Sequence, residues 1–322
     1  MTLSRGSVAA TVLLCAGVAR SAPVPSAGQA AADHAQPSPP ATAPSAGGAT
    51  ASPFPIHTWE LPPLDVVGEE RASLKEDERI GEYAQPRWSA RRRFPTTRTY
   101  VMPKGEVETE YWMRYTAPIK SLGDNREIRS YYELGFGLGH RLQLDVYVVT
   151  QQVGHSAIEI NREQIEVRYA LADYGKIWGN PTLYLEWQHR NGENDWLEPK
   201  ILLGGEIAPR WHAGFNMVLE REIGGKQESE WDLTGGVSYT AVDEVFHTGV
   251  ELYAEVHDTK SKRFAWGDTE QLFLGGPSFM VSPIPPFNLL VAPLFGVGKN
   301  GAAPGEKLQG MFRLWFVTGW AF

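Results

Sequence analysis

The sequence predicts an all-β protein: a transmembrane, antiparallel, up-and-down β-barrel of about twelve strands, preceded by a disordered linker. Three observations lead there. The N-terminus has the form of an export signal, residues 106–322 alternate apolar and polar side chains, and the chain ends on a row of same-face aromatics. The composition agrees. The chain has 322 residues, 11% of them aromatic, with 33 Gly and a mean hydropathy of −0.30. It contains no repeated apolar runs of the roughly 20 residues that a polytopic helical membrane protein needs. A single Cys excludes a disulfide-built scaffold, and a net charge of −8 argues against a nucleic-acid partner. So many aromatic residues also exclude full disorder. A membrane barrel looks soluble on average, because only alternate residues meet lipid.

The N-terminal elements come first. Arg5 followed by the apolar run Val8 to Val18 has the charge and length of a secretory signal, and Ala19-Arg20-Ser21 offers a small-residue cleavage site before Ala22. Residues 1–21 are therefore expected to be removed. Leu13-Leu14 ahead of Cys15 do not suit a lipoprotein box, so Cys15 leaves with the signal. Residues 22–55 are Ala, Pro, Ser and Gly with almost no large apolar side chain, a composition that cannot offset its ordering entropy. Residues 56–105 carry charge, then a basic aromatic patch of Trp88, Arg91, Arg92, Arg93, Phe94, Arg98 and Tyr100. The favoured expectation is a periplasmic lead-in that pairs with acids at the barrel mouth. The alternative is a partial plug within the lumen, a device of larger barrels.

From residue 106 the period is two, so successive side chains face opposite sides of a strand. The first strand sets Val107, Thr109, Tyr111, Met113 and Tyr115 against Glu108, Glu110, Trp112 and Arg114. Segments starting near Ile128, Leu142, Ile165, Leu183, Ile201, Trp211, Trp231 and Phe246 repeat the pattern. A weaker strand carries Leu272, Leu274 and Met280 around Gly275-Gly276-Pro277. In the next, Phe287, Leu289, Val291 and Phe295 have almost lost their polar alternation; near Phe279, Leu290 and Leu294 apolar groups are expected inward. The last strand sets Phe312, Leu314, Phe316, Thr318, Trp320 and Phe322 against Arg313, Trp315 and Val317.

A soluble sandwich would also alternate, but its connections would not sort by side. Here short ones (Gly139-His140, Ala208–Arg210, Ala241–Glu244, Ser282–Pro286) alternate with long polar ones, as in membrane barrels. Ala172–Asn180 is longer than its side predicts. The terminal aromatics Phe316, Trp320 and Phe322 look like the signal that barrel-assembly machinery reads, and a soluble protein rarely leaves such a strand bare. Lipid of the outer membrane and that machinery are thus the expected partners.

The acidic excess lies in the barrel segment, where roughly 19 Lys and Arg meet roughly 29 Asp and Glu. Inward parity gives the acids Glu108, Glu110, Glu133, Asp145, Glu166, Glu186, Glu206, Glu220, Asp232, Glu251 and Glu255. It gives the bases Arg114, Arg129, Arg141, Arg168, Lys200 and Arg313, with His212 and His247. Such a lining can pass small polar solutes with some cation preference. It can equally cross-link and close a narrow lumen, since eight strands enclose a filled core and sixteen a channel.

No cofactor or metal is expected. His155, His247 and His257 lack paired ligand spacing. His189-Arg190-Asn191-Gly192 is similar to the His-x-Ser-Asn-Gly stretch of outer-membrane phospholipases but lacks the serine, and without a hydroxyl nucleophile there is no acyl-enzyme route. Leu64–Gly68 looks like the box by which energised transporters touch an inner-membrane partner, yet those have about 22 strands.

Gly135–Leu144 (Gly-Phe-Gly-Leu-Gly-His-Arg-Leu-Gln-Leu) resembles the strand–turn–strand signature of small bacterial barrels grouped as phenol-degradation-pathway (MetA-like) outer-membrane proteins. Gly204–Trp211 and Gly275–Ser278 are similar to later strands of that group. The resemblance implies a barrel over 106–322 that carries small organic compounds, and implies no particular site residue.

Overall fold

The computed structural model describes residues 74–96, 98–258, 269–299 and 307–322. The expected signal, the linker and the first part of the lead-in lie outside the described residues.

Twelve antiparallel strands close into one barrel. They are β1 (Val107–Pro118), β2 (Glu127–Gly139), β3 (Leu142–Val153), β4 (Glu159–Ala170), β5 (Thr182–Arg190) and β6 (Trp196–Ala208). Then follow β7 (Trp211–Glu222), β8 (Ser229–Val242), β9 (Phe246–Asp258), β10 (Glu270–Val281), β11 (Phe287–Lys299) and β12 (Gln309–Ala321). Each strand pairs with its sequence neighbours, and β12 closes on β1, with Phe316 opposite Met113 and Trp320 opposite Thr109. At nine residues even the shortest strand, β5, is long enough to cross a bilayer. No helix among the described residues is long and apolar enough to do so.

Outward residues form the apolar band that lipid requires; Leu252 is 63% exposed and Leu185 50%. Aromatic pairs edge it at both ends, Trp211 with Tyr239 at one and Tyr115 with Phe312 at the other. Phe316, Trp320 and Phe322 lie on this outer face, and the Phe322 amide donates to the Val107 carbonyl across the closing seam.

The weak strand is reversed from its simplest reading. Leu272, Leu274 and Met280 of β10 are buried inward, and Phe279, expected inward, faces outward at 42% exposure. Leu290 and Leu294 of β11 are inward and fully buried, as their parity requires. With Tyr131, Tyr253 and Trp315 they make an apolar inner wall.

Connections at one end run two to five residues, apart from the stretch 171–181 between β4 and β5, and the fully described ones at the other end run five to eight. That exception grips what precedes the barrel. Tyr174 donates its amide to the Tyr83 carbonyl, and Tyr100 donates its hydroxyl to the Ala172 carbonyl. Residues 74–105 do not stop at the mouth, as the favoured expectation had it. Their side chains reach among the inward residues of the strands, because three arginines and a set of aromatics find acids and glycine notches there.

Candidate functional site

The segment before β1 starts at the short-turn end. The amides of Lys75 and Glu76 donate to the Asp243 carboxylate in the β8–β9 turn at 2.7 and 3.1 Å. The second of two 3-10 turns in the segment, Arg87–Ala90, brings Trp88 against His212, ring centroids 4.3 Å apart. The deepest contacts are at Thr96, which donates to Glu251 of β9 and whose carbonyl accepts from Asn216 of β7 at 2.7 Å. The chain then returns: the Met102 amide donates to Gln143 at 2.8 Å, and Gly105 and Glu106 pair with Gly137 at the foot of β2.

Charge fixes this path. Arg92 is 2% exposed; its Nη2 donates to Glu110 at 2.8 Å, and its guanidinium lies 3.9 Å from the Trp112 ring. Arg98 pairs with Glu108 and, at 3.2 Å, with Glu110. Burial opposes the Arg98 charge, but Glu108 and Glu110 more than offset it and hold the guanidinium above its ordinary pKa. Arg93 donates to Glu76 at 2.9 Å and to the Nδ1 atoms of His212 and His247 at 3.2 and 2.9 Å. None of these charges could be buried alone; wall acids neutralise Arg92 and Arg98, and the segment's own Glu76 neutralises Arg93. Glu76, Asp77 and His212 bring candidate ligand atoms within 4.8 Å of one another, but the Arg93 cation sits on the same imidazole, which disfavours a metal there.

Shape fixes it as well. A Cβ on Gly236 would lie 2.6 Å from two Phe94 ring carbons, and one on Gly204 2.7 Å from the Thr99 Cβ. Wall glycines therefore provide the space that segment side chains fill. Trp88, Phe94, Tyr100 and Met102 are all nearly fully buried, each worth about 1.5–3 kcal/mol as an apolar anchor. Burial, then the Asp173 carboxylate, push the Tyr100 phenol up to about 12, with Arg141 pulling the other way.

The inward candidates fall into three levels. Glu108, Glu110, Glu133, His212, His247 and Glu251 meet the segment. Asp145, Glu166, Arg168, Glu186 and Lys200 form a lattice on the wall of β3–β6: Arg168 bridges Asp145 and Glu166, and Lys200 pairs with Glu198. Arg114, Arg129, Glu220, Asp232, Glu255 and Arg313 line a vestibule at the long-loop end. Two candidates are not in the lumen. Arg141 sits in the β2–β3 turn with φ +63 and pairs with Asp173, because the turn takes the residue that alternation assigned to the strand. Glu206 is exposed at the short-turn rim, next to the register shift that ends β6.

Sequence reading missed other inward residues. Arg162, Trp196 and Glu198 are buried in the lumen, at strand ends that run beyond the clear apolar alternation. Parity extended outward from Ile165 and Ile201 would have found them.

Among the described residues, two adjoining cavities lie inside the barrel. One of about 120 Å³ rests on Arg92, Pro95, Thr96 and Arg98 and is walled by Trp112, Tyr131, Tyr147 and Tyr184. The vestibule, about 460 Å³, shares Arg114, Arg162, Glu220, Asp232 and Tyr253 with it.

The chain is similar in structure to bacterial outer-membrane channels. The NanC porin has 11% identity and a TM-score of 0.47, over 66% of this chain and 98% of that one. The COG4313 outer membrane channel from Pseudomonas putida F1 has 11% identity and a TM-score of 0.45, over 70% and 98%. OprD of Pseudomonas aeruginosa has 10% identity and a TM-score of 0.27, over 68% and 96%. No family model matches the sequence, and no curated protein matches it.

His189 lies outside the lumen. It stacks on Trp187 at 5.9 Å and meets Asp195 at 2.8 Å, a carboxylate rather than a hydroxyl nucleophile.

Proposed function

We propose that this chain is an outer-membrane barrel that admits small polar solutes at its long-loop mouth and is closed at its short-turn end by residues 74–105. The observation that carries the reading is a pair of adjoining cavities in the lumen: vestibule and inner cavity share five lining residues, and the inner one rests on the segment's Arg92 and Arg98. In membrane barrels the long loops face outside and the short turns the periplasm, so the closure stands on the periplasmic side. Passage then requires the segment to yield. The resemblance of Gly135–Leu144 to the phenol-degradation group extends the solute class to small organic compounds, and the aromatic inner wall of Trp112, Tyr131 and Trp315 suits such cargo. We read the chain as a carrier of solutes and not an enzyme, since the His189 stretch has no serine.

Planar bilayers test this. The mature chain is expected to show rare, discrete conductance steps, and the Arg92→Ala/Arg98→Ala pair frequent ones. If both form folded, heat-modifiable barrels that never conduct, the lumen is closed and the barrel is structural or ligand-binding.

A further inference from the structure

The vestibule gathers most of its arginines on one side and most of its acids on the other, with Glu127 on β2, His257 on β9 and Lys299 on β11 as exceptions. Arg114, Arg129, Arg162 and Arg190 stand on β1, β2, β4 and β5. Glu220, Glu230, Asp232, Glu255 and Glu270 stand on β7 to β10. Like charges are even placed directly across from each other: Arg114 opposite Arg129, Arg162 opposite Arg190, Glu220 opposite Glu230, Asp232 opposite Glu255. Directly opposed like charges destabilise a sheet. Nearer the short-turn end, opposed acids are bridged by a cation from the segment or the wall, as Arg92 does for Glu110 and Glu133.

In the vestibule the bridging is incomplete at two residues. Glu127 serves both Arg114 and Arg129, Arg190 reaches Glu220 at 2.9 Å, and Arg313 reaches Glu255 at 3.4 Å. Arg162 is 7% exposed, yet its hydrogen bond goes to the neutral Gln188 at 2.8 Å and its Nε has no partner among the described residues. Asp232 is 8% exposed; Tyr253 donates to one of its oxygens at 2.8 Å and the other, Oδ1, has no partner among the described residues. Both residues line the vestibule and the cavity beneath it. A buried guanidinium nitrogen and a buried carboxylate oxygen, each without a hydrogen-bond partner among the described residues, are costly unless something pairs with them.

We propose that the vestibule is a binding site for small zwitterions, with a solute carboxylate on Arg162 and a solute ammonium on Asp232. This deepens the reading of a solute-admitting lumen and rests on it. An anion alone would satisfy Arg162 and face the acidic side. A cation alone would satisfy Asp232 and face the arginines. A solute carrying both signs satisfies both sides at once and is oriented by the field between them. Arg162 supplies the forked geometry that carboxylates prefer.

The test is calorimetric titration of the full mature chain with ω-amino acids from glycine to 6-aminohexanoate, each against the carboxylate and the amine of matching length. At least one zwitterion is expected to bind about tenfold tighter than either matched ion, the gain of one further charge-assisted pair. Asp232→Asn should remove that margin and leave the carboxylate unchanged. Arg162→Gln should weaken zwitterion and carboxylate and leave the amine unchanged. Heat-modifiable migration shows that each variant is folded, and the two variants test the two ends independently. The proposal is overturned if no zwitterion exceeds its matched ions, or if Asp232→Asn weakens the carboxylate as much as the zwitterion. Binding is measured without current. A chain that binds zwitterions and never conducts therefore refutes passage alone, whereas a conducting chain without zwitterion preference refutes this site alone.

Discussion

Removing Arg92 should undock the segment while the barrel stays closed. In Arg92→Ala, Glu110 loses the contacts at 3.0 and 2.8 Å and remains buried. Breaking a buried pair from one side costs about 3–5 kcal/mol. Here the low end applies, because Glu110 keeps Arg98 at 3.2 Å and the Trp112 Nε1 donor at 2.9 Å. A loss of about 3 kcal/mol raises the undocked fraction roughly a hundredfold. The assay is maleimide labelling of Ser89→Cys. Ser89 is fully buried on the segment, and the only native cysteine, Cys15, lies in the expected signal. When redocking outruns labelling, the rate follows the undocked population, so it should rise about a hundredfold in the Arg92→Ala background. Arg92→Met with Glu110→Gln removes both charges together and should bring the rate back toward that of the parent. If Arg92→Ala labels as slowly as the parent while both are folded, the ion pair does not hold the segment and the account of closure fails.

Gly236→Ala places a methyl against the Phe94 ring and should weaken docking by about 1–3 kcal/mol, read as faster labelling of Ser89→Cys with unchanged barrel migration. Phe322→Asp should disturb the seam at Val107 and leave degraded or periplasmic protein in place of membrane-inserted barrel; normal insertion would show that the terminal aromatic is not needed. Deleting residues 22–55 behind an intact signal should leave barrel yield and heat-modifiability unchanged, because almost no large apolar side chain stands among them.

The barrel was legible because a strand has only two faces, so parity alone sends Glu110 inward and Tyr111 outward. Strand ends were less legible: Arg141 belongs to a turn whose left-handed backbone alternation does not register, and Glu198 stands where β6 begins earlier than its apolar residues suggest. What fills the lumen was the least legible, because parity gives direction and not occupancy. Two signals were nonetheless present: an excess of inward acids over inward bases, which Arg92 and Arg98 reduce, and glycines at Gly135, Gly204 and Gly236 that would otherwise be gaps in the inner wall. Glu251 and Glu255 show the limit plainly. They stand two apart on one face, yet Glu251 lies under Thr96 and Glu255 in the open vestibule. Neutralising both would alter closure and charge selection together.

The contacts of the segment span very different lengths of chain. Arg98 to Glu108 and Arg92 to Glu110 are 10 and 18 residues apart, whereas Thr96 to Glu251 and Thr240 to Glu76 are 155 and 164 apart. Short loops close at lower entropic cost than long ones, so the contacts with β1 need little help from the rest of the fold, whereas those with β8 and β9 depend on the closed sheet to bring their partners near. The segment is thus leashed to one wall by its own short chain and reaches the opposite wall only because the barrel is round.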